Sequence, residues 1–83
     1  MDLHAKIKDY IIENFLFGDA EPLKDDAMSL LDNGIIDSTG VMELVAFLEG
    51  DLGLSIEDEE LVPENLDSVD NLVGYVTRKQ AAA

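Results

Sequence analysis

The chain has 83 residues, with 19 acids against 5 Lys and Arg, a formal net charge of −14, one histidine and no cysteine. The length fits one domain with a small core, and the missing cysteines exclude a disulfide framework and thiolate metal sites. The charge repels DNA and RNA and removes the counterion-release term that drives their binding. Apolar runs of only a few residues fall far short of a membrane span.

Charge is unevenly spread. The bases are Lys6, Lys8, Lys24, Arg78 and Lys79, while residues 25–77 carry fourteen acids and no base. A one-signed field of this kind steers basic partners toward it. The first residues, Met-Asp-Leu-His-Ala-Lys, lack a basic segment followed by an apolar stretch. The expectation is a cytoplasmic monomer, with residues 1–80 as one domain and 81–83 as a frayed tail.

Leu3, Ile7, Ile11 and Phe15 recur at helical spacing, with Ile12 and Leu16 beside them. They predict a first helix from about Leu3 to Phe17, stopped by Gly18. Residues 18–29 are polar, contain Gly and Pro, and read as a long loop, which Leu23 and Met28 pin to the core. Asp32-Asn33-Gly34 is a turn sequence, and Ile35 and Ile36 then return to the core. From Thr39 to Leu52 a second helix carries the stripe Val41, Leu44, Val45, Leu48 and Leu52, with Gly53 at its end. Glu57-Asp58-Glu59-Glu60 suits a helix start, and Pro63 limits any helix there to about one turn, with Leu61, Val62 and Leu66 inward. The last helix begins near Ser68, carries Val69, Leu72, Val73 and Val76, and has Arg78 and Lys79 at its C-terminal end. The predicted fold is all-α: a small four-helix bundle of three longer helices and one short one, with a long loop after the first.

Side-chain chemistry is scarce. His4 sits in the first helical turn with no nucleophile beside it, so it reads as a solvated surface histidine rather than a general base. No cluster of His and Cys offers a metal site. A calcium loop fails as well: with Gly34 at the sixth loop position the third is Leu31 and the twelfth Gly40, and with Gly40 there the first is Ile35 and the twelfth Ala46. Intrinsic catalysis is therefore not expected. Two Asp-Ser pairs remain, Asp37-Ser38 and Asp67-Ser68, and either serine could cap a helix. Capping suffices for Ser68, since Val69 starts an apolar stripe at once. Ser38 has a richer setting. A turn and an Ile-Ile anchor precede it, Thr39-Gly40 leaves open backbone space after it, and a helix N-terminus favours a phosphate attached there.

Leu-Leu-Asp-Asn-Gly-Ile-Ile-Asp-Ser-Thr-Gly-Val-Met-Glu-Leu-Val-Ala-Phe-Leu-Glu, residues 30–49, resembles the modification-site region of acyl and peptidyl carrier proteins. The resemblance continues through Leu54-Ser55-Ile56, the acidic stretch and the last helix. It implies that a phosphopantetheinyl transferase attaches 4′-phosphopantetheine from coenzyme A to the Ser38 hydroxyl. The thiol of that arm would let a cysteine-free chain hold a thioester and present it to partner enzymes. Those partners would be a loading ligase for an amino acid or acyl group and a downstream acceptor enzyme. The implied docking residues are Asp37, Thr39 and Gly40 around the serine, and Met42, Glu43, Glu49 and Asp51 on the helix that follows. Met42 and Phe47 lie at the edge of the core stripe and fit core packing or partner contact. Fatty-acid carriers commonly read Asp-Ser-Leu followed by an acid. Thr39-Gly40 departs from that pattern and is similar to stand-alone aminoacyl carriers, including D-alanyl carriers, which favours an amino acid load over a fatty-acyl or polyketide one. A different class of function, an acidic interaction module in which Ser38 is only a cap, would need no prosthetic group.

The one-signed field should also oppose compaction. Melting temperature is therefore expected to rise from low to moderate salt, and a flat profile would contradict that expectation.

Overall fold

The computed structural model describes residues 2–82. Among them are four helices and no strand: α1 (Leu3–Phe15), α2 (Ser38–Asp51), α3 (Pro63–Leu66) and α4 (Val69–Ala82). A single 3-10 turn, Asp58–Glu60, precedes α3.

Asp2 starts α1 by accepting the His4 amide at 3.0 Å, which satisfies one of the orphan donors of the first turn. The helix stops at Phe15, two residues earlier than its periodicity suggests. The Leu16 and Gly18 amides converge on the Ile12 carbonyl at 3.2 and 2.9 Å. That closure turns the chain through Phe17, whose φ is 54°, before Gly18 at 84°. Left-handed backbone is costly for a bulky residue, and the Phe17 side chain gains no burial in return, being 94% exposed.

The core forms where the stripes of α1, α2 and α4 meet. Ile7, Ile11, Leu44, Leu48, Val69, Leu72 and Val76 are fully buried. α4 packs against both α1 and α3. Leu23 is buried and Met28 packs on the core, as the pinning role assigned to them requires. The Met28 sulfur also accepts the Lys24 amide at 3.2 Å. Phe47 stacks on Tyr10, ring centroids 3.9 Å apart, so it belongs to the packing between α1 and α2.

The acidic run 57–60 forms the single turn expected there, as a 3-10 helix with Asp58, Glu59 and Glu60 in its first turn. Glu57 and Glu60 cap one another reciprocally at its start, with the Glu57 amide 2.9 Å from Glu60 Oε1, and the Leu61 amide closes its end onto the Asp58 carbonyl at 3.1 Å. Pro63 lies beyond that turn and opens α3 at the first helical position, where its missing N–H costs nothing and its φ is already helical. α4 runs to Ala82, in keeping with the high helix propensity of alanine, and Ala83 lies outside the described residues.

Tyr75, absent from the predicted stripe, is 3% exposed on the inner face of α4. Burial first, and the negative charge of Glu60 second, push its hydroxyl up to about 12. A raised folded-state value means that the folded chain holds this proton more tightly than the unfolded one. Its contribution to stability is complete below the unfolded value near 10 and is lost as pH rises through about 12. Melting temperature should thus decline over that window, and Tyr75→Phe should reduce the decline. Leu48→Ala should cost roughly 2–5 kcal/mol in denaturant titration, from lost transfer energy and the cavity left behind.

Candidate functional site

The site begins with Asp37. Its backbone is extended, and its carboxylate accepts the Gly40 amide at 2.7 Å while its carbonyl accepts the Val41 amide at 2.9 Å. Asp37 is therefore the N-cap of α2. Ser38 is the first helical residue, and capping does not engage its hydroxyl. This corrects the alternative in which Ser38 itself closes the helix. Ser68 behaves as read from sequence: it is 4% exposed, and its hydroxyl accepts the Asn71 amide at 3.0 Å at the start of α4. The two Asp-Ser pairs thus divide the work differently. In the first the aspartate caps and the serine is exposed; in the second the serine caps and is buried.

Gly40 is corrected too. It is buried, and a Cβ built on it would lie 3.0 Å from the Phe15 ring and 3.2 Å from Ile36. The space beside its backbone is filled rather than open. The missing side chain lets the first turn of α2 approach α1, a packing reason that holds whatever the load. Thr39 next to it is exposed.

An apolar crevice of about 370 Å³ opens beside Ser38. Leu30, Leu31 and Ile36 line it from the loop, Val41 from α2, and Leu61, Val62, Pro63 and Leu66 from the segment around α3. Leu31 is partly exposed at 39%. A neighbouring hollow bordered by Ser29, Glu64, Asp67 and Asp70 has a polar, acidic rim instead.

The crevice depends on a tie that sequence reasoning missed. Asp67 accepts the Ser29 hydroxyl at 2.6 Å through Oδ2 and the Leu31 amide at 2.9 Å through Oδ1. Its carbonyl accepts the Leu30 amide at 2.7 Å. The Ser29 hydroxyl in turn accepts the Asp32 amide at 3.0 Å, and the Ile35 and Ile36 amides close onto the Leu30 carbonyl. The turn ahead of Ser38 is thereby fixed to the α3–α4 junction. No local pattern signals this, because the partners are 38 residues apart.

Along α2, Met42 is 58% exposed, and Glu43, Glu49 and Asp51 are exposed. Among the described residues no Lys or Arg pairs with these three acids. Glu49 has a structural duty as well, since Oε2 accepts the Ile56 amide at 3.2 Å. The Tyr10 hydroxyl donates to the Glu43 carbonyl at 3.1 Å. Partial burial, then the charges of Glu43 and Asp51, raise its pKa above the usual tyrosine value, so the acidic field of α2 is felt on α1.

His4 is not merely solvated. Its Nε2 lies 3.2 Å from Asp70 Oδ1, joining the start of α1 to the start of α4. Asp26 shares the cluster, with its carboxylate 3.0 Å from the Lys8 ammonium.

An exposed serine at a helix start, an apolar crevice beside it and an acidic helix behind it are the features that known relatives can be set against. No family model matches the chain. It is 33% identical over 79 residues to PigG, a probable acyl carrier protein of a Serratia species, covering 95% of this chain and 90% of the relative. It is 35% identical over 82 residues to the acyl carrier protein of Bdellovibrio bacteriovorus, covering 99% of this chain and 100% of the relative. The chain belongs to the acyl carrier protein family. It is a carrier rather than an enzyme, and proteins of this family normally bear phosphopantetheine and serve partner enzymes of acyl handling. Among the described residues no helix is long and apolar enough to cross a membrane.

The division of labour between Asp37 and Ser38 has a stability signature. Asp37→Ala should cost about 0.5–2 kcal/mol in chemical denaturation, the usual loss for an N-cap. Ser38→Ala should stay within about 0.5 kcal/mol of the wild type, as for an exposed surface position.

Proposed function

We propose that Ser38 carries 4′-phosphopantetheine and that the chain presents an acyl or aminoacyl group, held as a thioester, to partner enzymes. The observation that supports this most strongly is the exposed Ser38 in the first turn of α2, with Asp37 rather than Ser38 acting as the cap. A capping hydroxyl would be committed to the helix; this one is available for a phosphodiester. The amides of Ser38 and Thr39 fall among the four unpaired donors of a helix start, where a phosphate is favoured by hydrogen bonding and by the dipole. When bound, the arm supplies the thiol that the chain lacks.

The crevice bears on the load. Its leucine, isoleucine and valine walls suit an apolar group, so an acyl chain or an apolar amino acid is favoured over a polar one. The motif Thr39-Gly40 supports an amino acid less than it did from sequence, since packing against Phe15 and Ile36 accounts for Gly40. Asp37, Thr39, Met42, Glu43, Glu49 and Asp51 form the exposed face on which a phosphopantetheinyl transferase, a loading ligase and an acceptor enzyme would dock. Gly40 supports that face from beneath, since it is buried. Residues 1–80 act in this reading as one carrier domain.

Intact mass after incubation with coenzyme A and a promiscuous phosphopantetheinyl transferase should rise by one phosphopantetheine. Ser38→Ala should abolish the gain. An unchanged wild-type mass with several transferases would favour an acidic interaction module without a prosthetic group.

A further inference from the structure

Asp67 joins the two walls of the crevice beside Ser38. On one side are Leu30 and Leu31, whose amides it accepts through its carbonyl at 2.7 Å and Oδ1 at 2.9 Å. On the other is Leu66, its neighbour in sequence, at the end of a helix only four residues long. A helix that short gains little from its own hydrogen bonds, so the α3 segment depends on its ties for a fixed position. The Asp67 amide bonds the Pro63 carbonyl at 2.9 Å, which couples the residue to the whole of α3. Both carboxylate oxygens are engaged from the loop, one by the Ser29 hydroxyl at 2.6 Å and one by the Leu31 amide. Charge-assisted bonds of this kind are short and roughly twice as strong as neutral ones. An asparagine could keep both contacts, its oxygen accepting the Leu31 amide and its nitrogen donating to the Ser29 hydroxyl, whereas an alanine removes both acceptors.

We propose that Asp67 is a latch that sets the width of the crevice, and so a positioning residue that limits the size of the apolar load the carrier shelters. The size selection rests on the reading that Ser38 bears the loaded arm; the latch itself does not. With the latch closed, the loop turn 29–31 and the end of α3 are held at a fixed spacing, and the crevice keeps its volume of about 370 Å³. With it open, the α3 segment can swing away from the loop while the core residues Leu44, Leu48 and Leu72 stay packed.

The test uses the full chain with Asp67→Ala, the milder Ser29→Ala, and Asp2→Ala as a control that weakens a cap elsewhere. In the unmodified proteins, amide exchange at Leu31 should accelerate roughly ten- to hundredfold in Asp67→Ala. Ser29→Ala should give a smaller change of the same direction, and Asp2→Ala should leave Leu31 at the wild-type rate. Exchange at Leu31 that is unchanged in Asp67→Ala overturns the latch. The modified proteins are then loaded with butyryl, octanoyl or dodecanoyl groups, and thioester lifetime is followed in dilute hydroxylamine. The wild type should protect the shorter loads best, and Asp67→Ala should shift protection toward the dodecanoyl load. An identical length profile in both proteins overturns the size selection even if the latch is real. Failure of wild-type Ser38 to accept the arm overturns the carrier reading and the size selection with it, while the exchange data still decide the latch.

Discussion

The connection between α1 and α2 contains no helix of its own, yet the placement of Ser38 depends on it. What holds it is a set of hydrogen bonds from residues near the start of α4. Asp67 takes the Ser29 hydroxyl and the Leu30 and Leu31 amides, and the Asp70 amide bonds the Asp26 carbonyl at 2.9 Å. Leu23, Leu30, Ile35 and Ile36 add apolar anchors on either side. Ordering so long a segment costs about 1–2 kcal/mol of backbone entropy per residue, so neither set of contacts would suffice alone. Once Ile36 is seated, Asp37 falls where it can cap α2, and Ser38 emerges at the crevice mouth.

Charge works against this fold and sets its exterior. Fourteen acids between residues 25 and 77 face five bases outside that stretch. Two of the bases are used where chain segments meet. Lys8 of α1 holds Asp26 of the long loop, and Lys79 of α4 holds Glu60 of the 3-10 turn at 2.9 Å. Partly exposed pairs contribute little stability each, but both of these join elements distant in sequence. Among the described residues Glu43, Glu49 and Asp51 of α2 pair with no Lys or Arg. α2 is thus lined on one face by the core residues Leu44, Val45 and Leu48 and carries the exposed acids Glu43 and Asp51 elsewhere; in the docking role proposed for it, such rim charges would act mainly on the rate of encounter.

The helices were legible because their burial is periodic. The stripes of α1, α2 and α4 place Ile7, Ile11, Leu44, Leu48, Leu72 and Val76 in the core, as their spacing requires. Ser38 stood out because its flanking residues form a distinctive run. What the sequence did not disclose was reciprocal or long-range. The mutual capping of Glu57 and Glu60 pairs each backbone amide with a side chain of the same turn. Gly40 looked like open space because the Phe15 ring that fills it lies in another helix. Asp67 looked like a mere neighbour of a capping serine because its three partners come from the opposite end of a long loop. The last two are contacts between segments, which hydrophobic periodicity cannot carry.

The two Asp-Ser pairs are chemically unequal, because in one the aspartate caps and in the other the serine does. The direct measurement is fragmentation mass spectrometry of the protein after reaction with coenzyme A and a transferase, locating the added group on a single residue. The group is expected on Ser38 alone, with Ser29, Ser55 and Ser68 bare. A group found on Ser68, or spread over several serines, would contradict it.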